Sequence, residues 1–141
     1  MSGSTEPPLA LADSTVAVSA LVQDHKFHDL AVAAVGGHRA GIATHALLET
    51  YCRLTRYPRH RVAPKQAVAL LDRAFPNRYL LSKGGTDRLL GALAAGAIHG
   101  GATYDGLIAA TAAEAGLPLL TLDRRAARTY AAVGAEVHYL T

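Results

Sequence analysis

The sequence has no tryptophan, two phenylalanines and one cysteine, and each scarcity closes off a class of architecture. A lone Cys52 cannot form an internal disulfide, so the chain is not a stapled secreted scaffold and fits a reducing compartment. With so few aromatics, small aliphatic side chains must fill the core. Half of the residues are hydrophobic, chiefly Ala and Leu, which suits helices laid on a sheet. Long apolar runs are also missing. The longest, residues 89–98, is interrupted by Gly91 and Gly96 and falls well short of the ~20 residues needed to cross a bilayer. The start, MSGSTEPP, is polar and Pro-containing, without the basic and apolar segments of a targeting signal. These features predict a cytoplasmic protein with no membrane attachment, a flexible tail over residues 1–8 and one domain over residues 9–141. Acid is the scarcer charge. A net charge of +3, carried mainly by arginine, is compatible with a nucleic-acid partner or an acidic protein and proves neither.

What is present is organised around residues 103–125, TYDGLIAATAAEAGLPLLTLDRR. An Ala-rich run reads as a helix that Gly116 stops and Pro118 keeps from resuming. Residues 117–122 form a short apolar run suited to a strand covered on both faces. A helix of about 11 residues rises ~16 Å, and a strand of about five residues spans ~17 Å. The two therefore lie back to back, bringing Asp105 and Asp123 to one edge. That edge is the carboxyl end of the strand, where open α/β sheets place their sites.

Elsewhere, strand-like runs at 9–12, 38–43, 79–81 and 136–140 alternate with helical segments. Ser14 and Thr15 are expected to cap a helix over 16–22. A second helix is expected over 25–35, stopping at Gly36–Gly37. Thr44 opens a helix through Arg56 that Tyr57–Pro58 ends. Pro64 suits the first position of a helix to Ala74, and Thr86–Asp87 the start of another to about Ala97. A last helix is expected over 124–133, stopped by Gly134. The alternation predicts a helix-covered, mostly parallel sheet. The strand order is not legible.

Asp13 ends the first strand as Asp123 ends a later one. Glu49 lies five residues past Thr44, a rise of ~7 Å into its helix. Asp13, Glu49, Asp105 and Asp123 thus converge from four segments on one edge. Crowded carboxylates raise one another's pKa, and a divalent cation removes that conflict. An all-oxygen set without cysteine favours Mg²⁺ or Mn²⁺ over zinc. Each acid also has an ordinary structural reading. Asp13 and Asp105 suit helix caps, Glu49 an ion pair with Arg53, and Asp123 a turn.

The segments LADSTVAVSALVQDHKFHD, ALLETYCRLTRYP and ATYDGLIAATAAEAGLPLLTLDRRA, with TYAAVGAEV, resemble the PIN-domain ribonucleases, and among them the VapC-type toxins of bacterial toxin–antitoxin pairs. The likeness runs from Leu9 to Leu140, by pattern alone over residues 62–100. It implies a PIN-like three-layer α/β/α fold and metal-dependent hydrolysis of RNA through Asp13, Glu49, Asp105 and Asp123. Asp13 and Asp105 would hold Mg²⁺ or Mn²⁺ most directly, Asp123 would be a further ligand, and Glu49 would hold a second ion or orient water. Such a mechanism leaves 5′-phosphate and 3′-hydroxyl ends. A VapB-type antitoxin partner, placing an arginine among the acids, and a homodimer are implied by the resemblance alone. The tail is longer than usual in the family, and Ala12 stands where a larger apolar residue is common.

For RNA contact, Arg124 and Arg125, with Arg128, have the best claim by position. The stretch Arg53, Arg56, Arg59, His60 and Arg61 suits RNA, an antitoxin or plain solvent equally. His25 and His28 near a helix start are ordinary solvated histidines, and His99–Gly100–Gly101 is a joint. Two other functions stay open: a non-catalytic α/β binding module, and a phosphatase with an Asp nucleophile. The phosphatase normally needs a second Asp two residues after the first, where this chain has Thr15.

Overall fold

The computed structural model describes residues 6–56 and 61–141. In chain order these form β1 (Leu11–Ala12), α1 (Ser14–Leu21), α2 (His28–His38), β2 (Gly41–Ala43), α3 (Thr44–Arg56) and α4 (Pro64–Ala74). There follow β3 (Arg78–Tyr79), α5 (Lys83–Ala95), α6 (Ala102–Ala115), β4 (Leu119–Thr121), a 3₁₀ turn (Arg124–Ala126), α7 (Ala127–Val133) and β5 (Val137–Tyr139). The strands pair in the order β3-β2-β1-β4-β5, every pair parallel. The chain first steps outward from β1 to β2 and β3. It then returns past β1 to β4 and β5, so the strand order reverses between β1 and β4. A crevice opens at the carboxyl ends of strands at such a switch point.

Right-handed crossovers put α1 to α4 on one face of the sheet and α5 to α7 on the other, and the two groups touch where α3 meets α6. With helices on both sides, β1, β2 and β4 are buried throughout, as parallel strands should be. Leu11, Ile42, Leu119 and Leu120 from these strands, with Leu54 of α3 and Phe75 at the end of α4, are the largest fully buried side chains of the core. The outer strands β3 and β5 are only partly covered.

The turn that aligns α6 with β4 forms as the sequence predicts. Gly116 adopts φ 72°, a left-handed conformation natural to glycine, and its N–H reaches the Ala112 and Ala113 carbonyls. Pro64 opens α4. Other boundaries move. The cap of α1 is Asp13 itself, whose carboxylate accepts the Val16 N–H, rather than Ser14 or Thr15. Helix α2 starts at His28 and runs through Gly36–Gly37 to His38, where Arg39 ends it at φ 47°. Glycine costs a helix about 1 kcal/mol but does not forbid it, and packing of α2 on α1 outweighs that cost. Ser82 caps α5 by accepting the Gly85 N–H at 2.9 Å, so Thr86 and Asp87 lie inside the helix. The last helix begins as a 3₁₀ turn. At the N-terminal end Pro8 is buried, and the Pro7 carbonyl accepts from Arg39. The expected stop at Tyr57–Pro58, like Arg59 and His60 of the basic stretch, lies outside the described residues.

Candidate active site

β1 and β4 lie side by side in the register Ala12↔Leu120, so Asp13 and Asp123 leave adjacent strands at the same edge. Asp13 is 3 % exposed. Its Oδ1 accepts from the Thr15 hydroxyl at 2.6 Å and the Val16 N–H at 2.9 Å. Its Oδ2 accepts from the Thr121 hydroxyl at 2.5 Å and the Tyr130 hydroxyl at 3.5 Å. Burial pushes this carboxyl above its ordinary pKa, while the Thr121, Thr15 and Val16 donors pull it back.

The two threonines also tie the strand ends together. Thr121 accepts the Asp123 N–H at 2.9 Å, and Thr15 accepts the Leu122 N–H at 3.0 Å. Each hydroxyl thus donates to Asp13 and receives an amide from the exit of β4. Asp123 in turn accepts the Arg125 N–H at 3.0 Å and caps the 3₁₀ turn. The sequence reading missed Thr121 and Tyr130 and read Thr15 only as a cap. One signal was available: a polar residue in an apolar strand run, two positions before an aspartate, projects to the same side as that aspartate.

Asp105 stands in the first turn of α6, but Gly101 is the N-cap and makes no side-chain cap bond. The cap role considered for Asp105 is therefore not the one it has. Its pKa rises to about 6, first through burial and then through the charges of Asp123, Glu49 and Asp13, with Arg125 opposing. That shift puts Asp123, Glu49 and Asp13 each within electrostatic reach of Asp105. Burial and like charge both favour the neutral form, the usual cause of a raised carboxyl. Glu49 faces His45 at 3.4 Å, one turn earlier on α3, and not Arg53, its alternative structural partner. The His45 ring lies flat on Tyr104, with centroids 4.8 Å apart and planes 8° from parallel. Tyr130 is held well above the ordinary tyrosine range by burial and by the Asp13 charge, so it remains a neutral hydroxyl donor.

Of the expected RNA-contacting arginines, Arg125 is the one that is exposed and paired with an acid of the site. Its side chain is 96 % exposed and its Nε lies 3.5 Å from Asp123. Arg124 is committed elsewhere. Its guanidinium donates to the Thr141 carbonyl at 2.9 Å and covers the Tyr139 ring at 4.7 Å. Arg128 donates to the Gly96 carbonyl at 2.7 Å. Arg53 is exposed on α3, where its charge acts on His25. His28 bonds the Ser19 carbonyl at 2.9 Å and His25 contacts the Ser19 hydroxyl at 3.4 Å, so this pair ties α2 to α1.

The chemistry of the donor set fits a hard divalent cation, because the converging groups are carboxylates whose mutual repulsion a cation relieves. Their spacing is looser than a ligand shell. Among the described residues no three His, Cys, Asp or Glu side chains are gathered closely enough to hold one ion together.

The comparisons with known proteins agree with this architecture. The PIN domain family model matches residues 10–132. The chain is 44 % identical over 133 residues to ribonuclease VapC27 of Mycobacterium tuberculosis, across 94 % of this chain and 96 % of that one. It is 40 % identical over 133 residues to ribonuclease VapC40 of the same species, across 92 % of this chain and 97 % of that one. The solved structure of FitAcB from Neisseria gonorrhoeae superposes with a TM-score of 0.66 over 93 % of this chain and 97 % of that one, at 16 % identity, a likeness of fold. The chain belongs to the PIN-domain family and, within it, to the VapC ribonucleases.

Proposed function

We propose that the chain is the toxin of a type II toxin–antitoxin pair, an endoribonuclease that hydrolyses RNA phosphodiester bonds at the carboxyl edge of β1 and β4. What supports the site assignment is the pairing of β1 with β4, which brings Asp13 and Asp123 out at one edge near Asp105, whose carboxyl is held high by burial and by the neighbouring acids. Asp13, Asp105, Asp123 and Glu49 would hold a divalent cation, Mg²⁺ or Mn²⁺, and what supports this is donor chemistry rather than spacing. When bound, the cation polarises water and offsets negative charge on the phosphoryl oxygens.

The residues around it have separable tasks. Thr15, Thr121 and Tyr130 fix the orientation of Asp13. Glu49 is the partly exposed acid, suited to accept a hydrogen bond from the attacking water. Arg125, exposed and held to Asp123 through Nε, offers the rest of its guanidinium to a flanking phosphate. We place the nuclease domain at residues 9–141, with residues 1–8 as its leading tail. RNA is the substrate, a VapB-type antitoxin is the partner, and the protein works in the cytoplasm as a homodimer. Among the described residues no helix is long and apolar enough to cross a membrane.

Neither competitor gains support. A phosphatase with an Asp nucleophile lacks its second acid, since the Thr15 hydroxyl at that position is spent on Asp13. A binding module would have its acids neutralised by Arg53 and Arg124, but Arg124 is bound at the C-terminal strand and Glu49 faces His45. The test is RNA cleavage by purified protein with and without Mg²⁺ or Mn²⁺, followed by analysis of the product ends. Cleavage that needs the metal, leaves 5′-phosphates and disappears in Asp105→Asn is expected. Full activity in that variant would sink the assignment.

A further inference from the structure

The His45–Tyr104 stack is absorbed by none of the roles above. The two rings come from different helices, α3 and α6, both of which begin at the carboxyl edge of the sheet. Tyr104 precedes Asp105 directly, and His45 lies four residues, about 6 Å of helical rise, before Glu49. The pair therefore stands on the rim of the acidic site. One face of the Tyr104 ring is covered by the imidazole, yet the residue remains 51 % exposed. Of the exposed large hydrophobic residues among those described, Tyr104 alone is aromatic. The His45 ring also lies 3.4 Å from Glu49, so the imidazole that backs Tyr104 has a neighbour on its own helix.

We infer that Tyr104, backed by His45, is a stacking platform for an unpaired nucleobase next to the scissile phosphate, an inference that rests on the ribonuclease reading. Flat aromatic surfaces beside a phosphate-handling site recognise single-stranded RNA because every base presents a π-face. A ring already packed against a neighbour has less freedom to lose on binding. Phosphate contact at Arg125 and base stacking at Tyr104 together would set which phosphate meets the acids, so the stack governs register along the strand.

The experiment uses the full chain in three arms. First, cleavage by the unaltered protein in Mg²⁺ or Mn²⁺ tests the ribonuclease reading by itself, and no cleavage there overturns that reading. Second, Asp105→Asn protein, with and without Tyr104→Ala or Tyr104→Phe, is titrated with short single-stranded RNAs carrying 2-aminopurine at successive positions. A stacked base is quenched. Tyr104→Ala should weaken binding about tenfold or more and abolish quenching at one position, while Tyr104→Phe keeps both within about twofold. Third, in otherwise active protein Tyr104→Ala should raise KM more than it lowers kcat. The inference is overturned if Tyr104→Ala binds as before, if it lowers the melting temperature without changing affinity, or if Tyr104→Phe loses as much as Tyr104→Ala.

Discussion

Asp105 carries a conflict that its surroundings do not resolve. Its carboxyl titrates at about 6 because burial and the charges of Asp123, Glu49 and Asp13 disfavour the ionised form. The folded chain thus keeps this proton to about pH 6, whereas the unfolded chain releases it near the ordinary value of 3.8. Between those limits the folded state binds more protons, so this group's contribution to stability is full below the lower value and is lost as pH rises through the upper one. In EDTA, Asp105→Asn should remove that loss. At pH 7.5 it should melt about 2 °C above the unaltered protein, a modest shift because the group is partly exposed to solvent. Near pH 4 the two should melt together. Other titrating groups cancel in the comparison, since both proteins share them. The same substitution should lower ribonuclease turnover by at least about a hundredfold. A variant that loses stability at pH 7.5 would mean that the carboxylate is a structural partner.

Thr121 makes a complementary case at the same scale. It donates to Asp13 and accepts from Asp123, so Thr121→Val keeps the shape and removes both bonds. Loss of a buried hydrogen-bond partner should cost about 1–3 kcal/mol in chemical denaturation. Turnover should fall along with stability because Asp13 is no longer fixed from β4.

At the scale of elements, the chain contains glycines of opposite effect. Gly36 and Gly37 lie inside α2, and Gly116 ends α6 at φ 72°. An added Cβ would meet nothing within 4 Å at any of the three, so substitution tests the backbone alone. Gly36→Ala and Gly37→Ala should each stabilise the protein by about 0.5–1 kcal/mol, and Gly116→Ala should destabilise it by about 1 kcal/mol. Denaturant midpoints with unchanged slopes would show this. These same positions explain what was legible in the sequence. The stop at Gly116 could be read because Pro118 follows it and an apolar run begins at once. Gly36–Gly37 resembled a stop for the same compositional reason, yet the packing of α2 on α1 is a tertiary term that no local signal carries. Asp13 and Asp123 were legible because each ends a strand, and Asp105 because it opens a helix, whereas Glu49 was placed only by its rise along α3. The Thr121 and Tyr130 donors to Asp13 and the His45–Tyr104 stack were not, because they depend on β1 lying beside β4 and α3 beside α6.

At the scale of the molecule, the reversal of strand order between β1 and β4 concentrates acid at one edge of a chain whose net charge is +3. A polyanion approaching that edge meets carboxylates first, so its affinity must come from cations placed beside them and from the bound metal. Arg124 and Arg125 are equal candidates by position, but their surroundings separate them. Arg125 is solvent-exposed beside Asp123, whereas Arg124 spends its donors on the Thr141 carbonyl and its face on Tyr139. Each phosphate contact made to single-stranded RNA releases counterion and adds about −0.7 to the slope of log affinity against log salt. Arg125→Ala should therefore flatten that slope by about 0.7 and weaken binding at low salt. Arg124→Ala should leave the slope unchanged and instead lower the melting temperature, because it detaches the end of the chain from the 3₁₀ turn. RNA titrations at several salt concentrations, run in the Asp105→Asn background to prevent cleavage, separate the two. An equal loss of slope in both variants would mean that Arg124 leaves Thr141 when RNA binds, and that the basic rim is built from both residues.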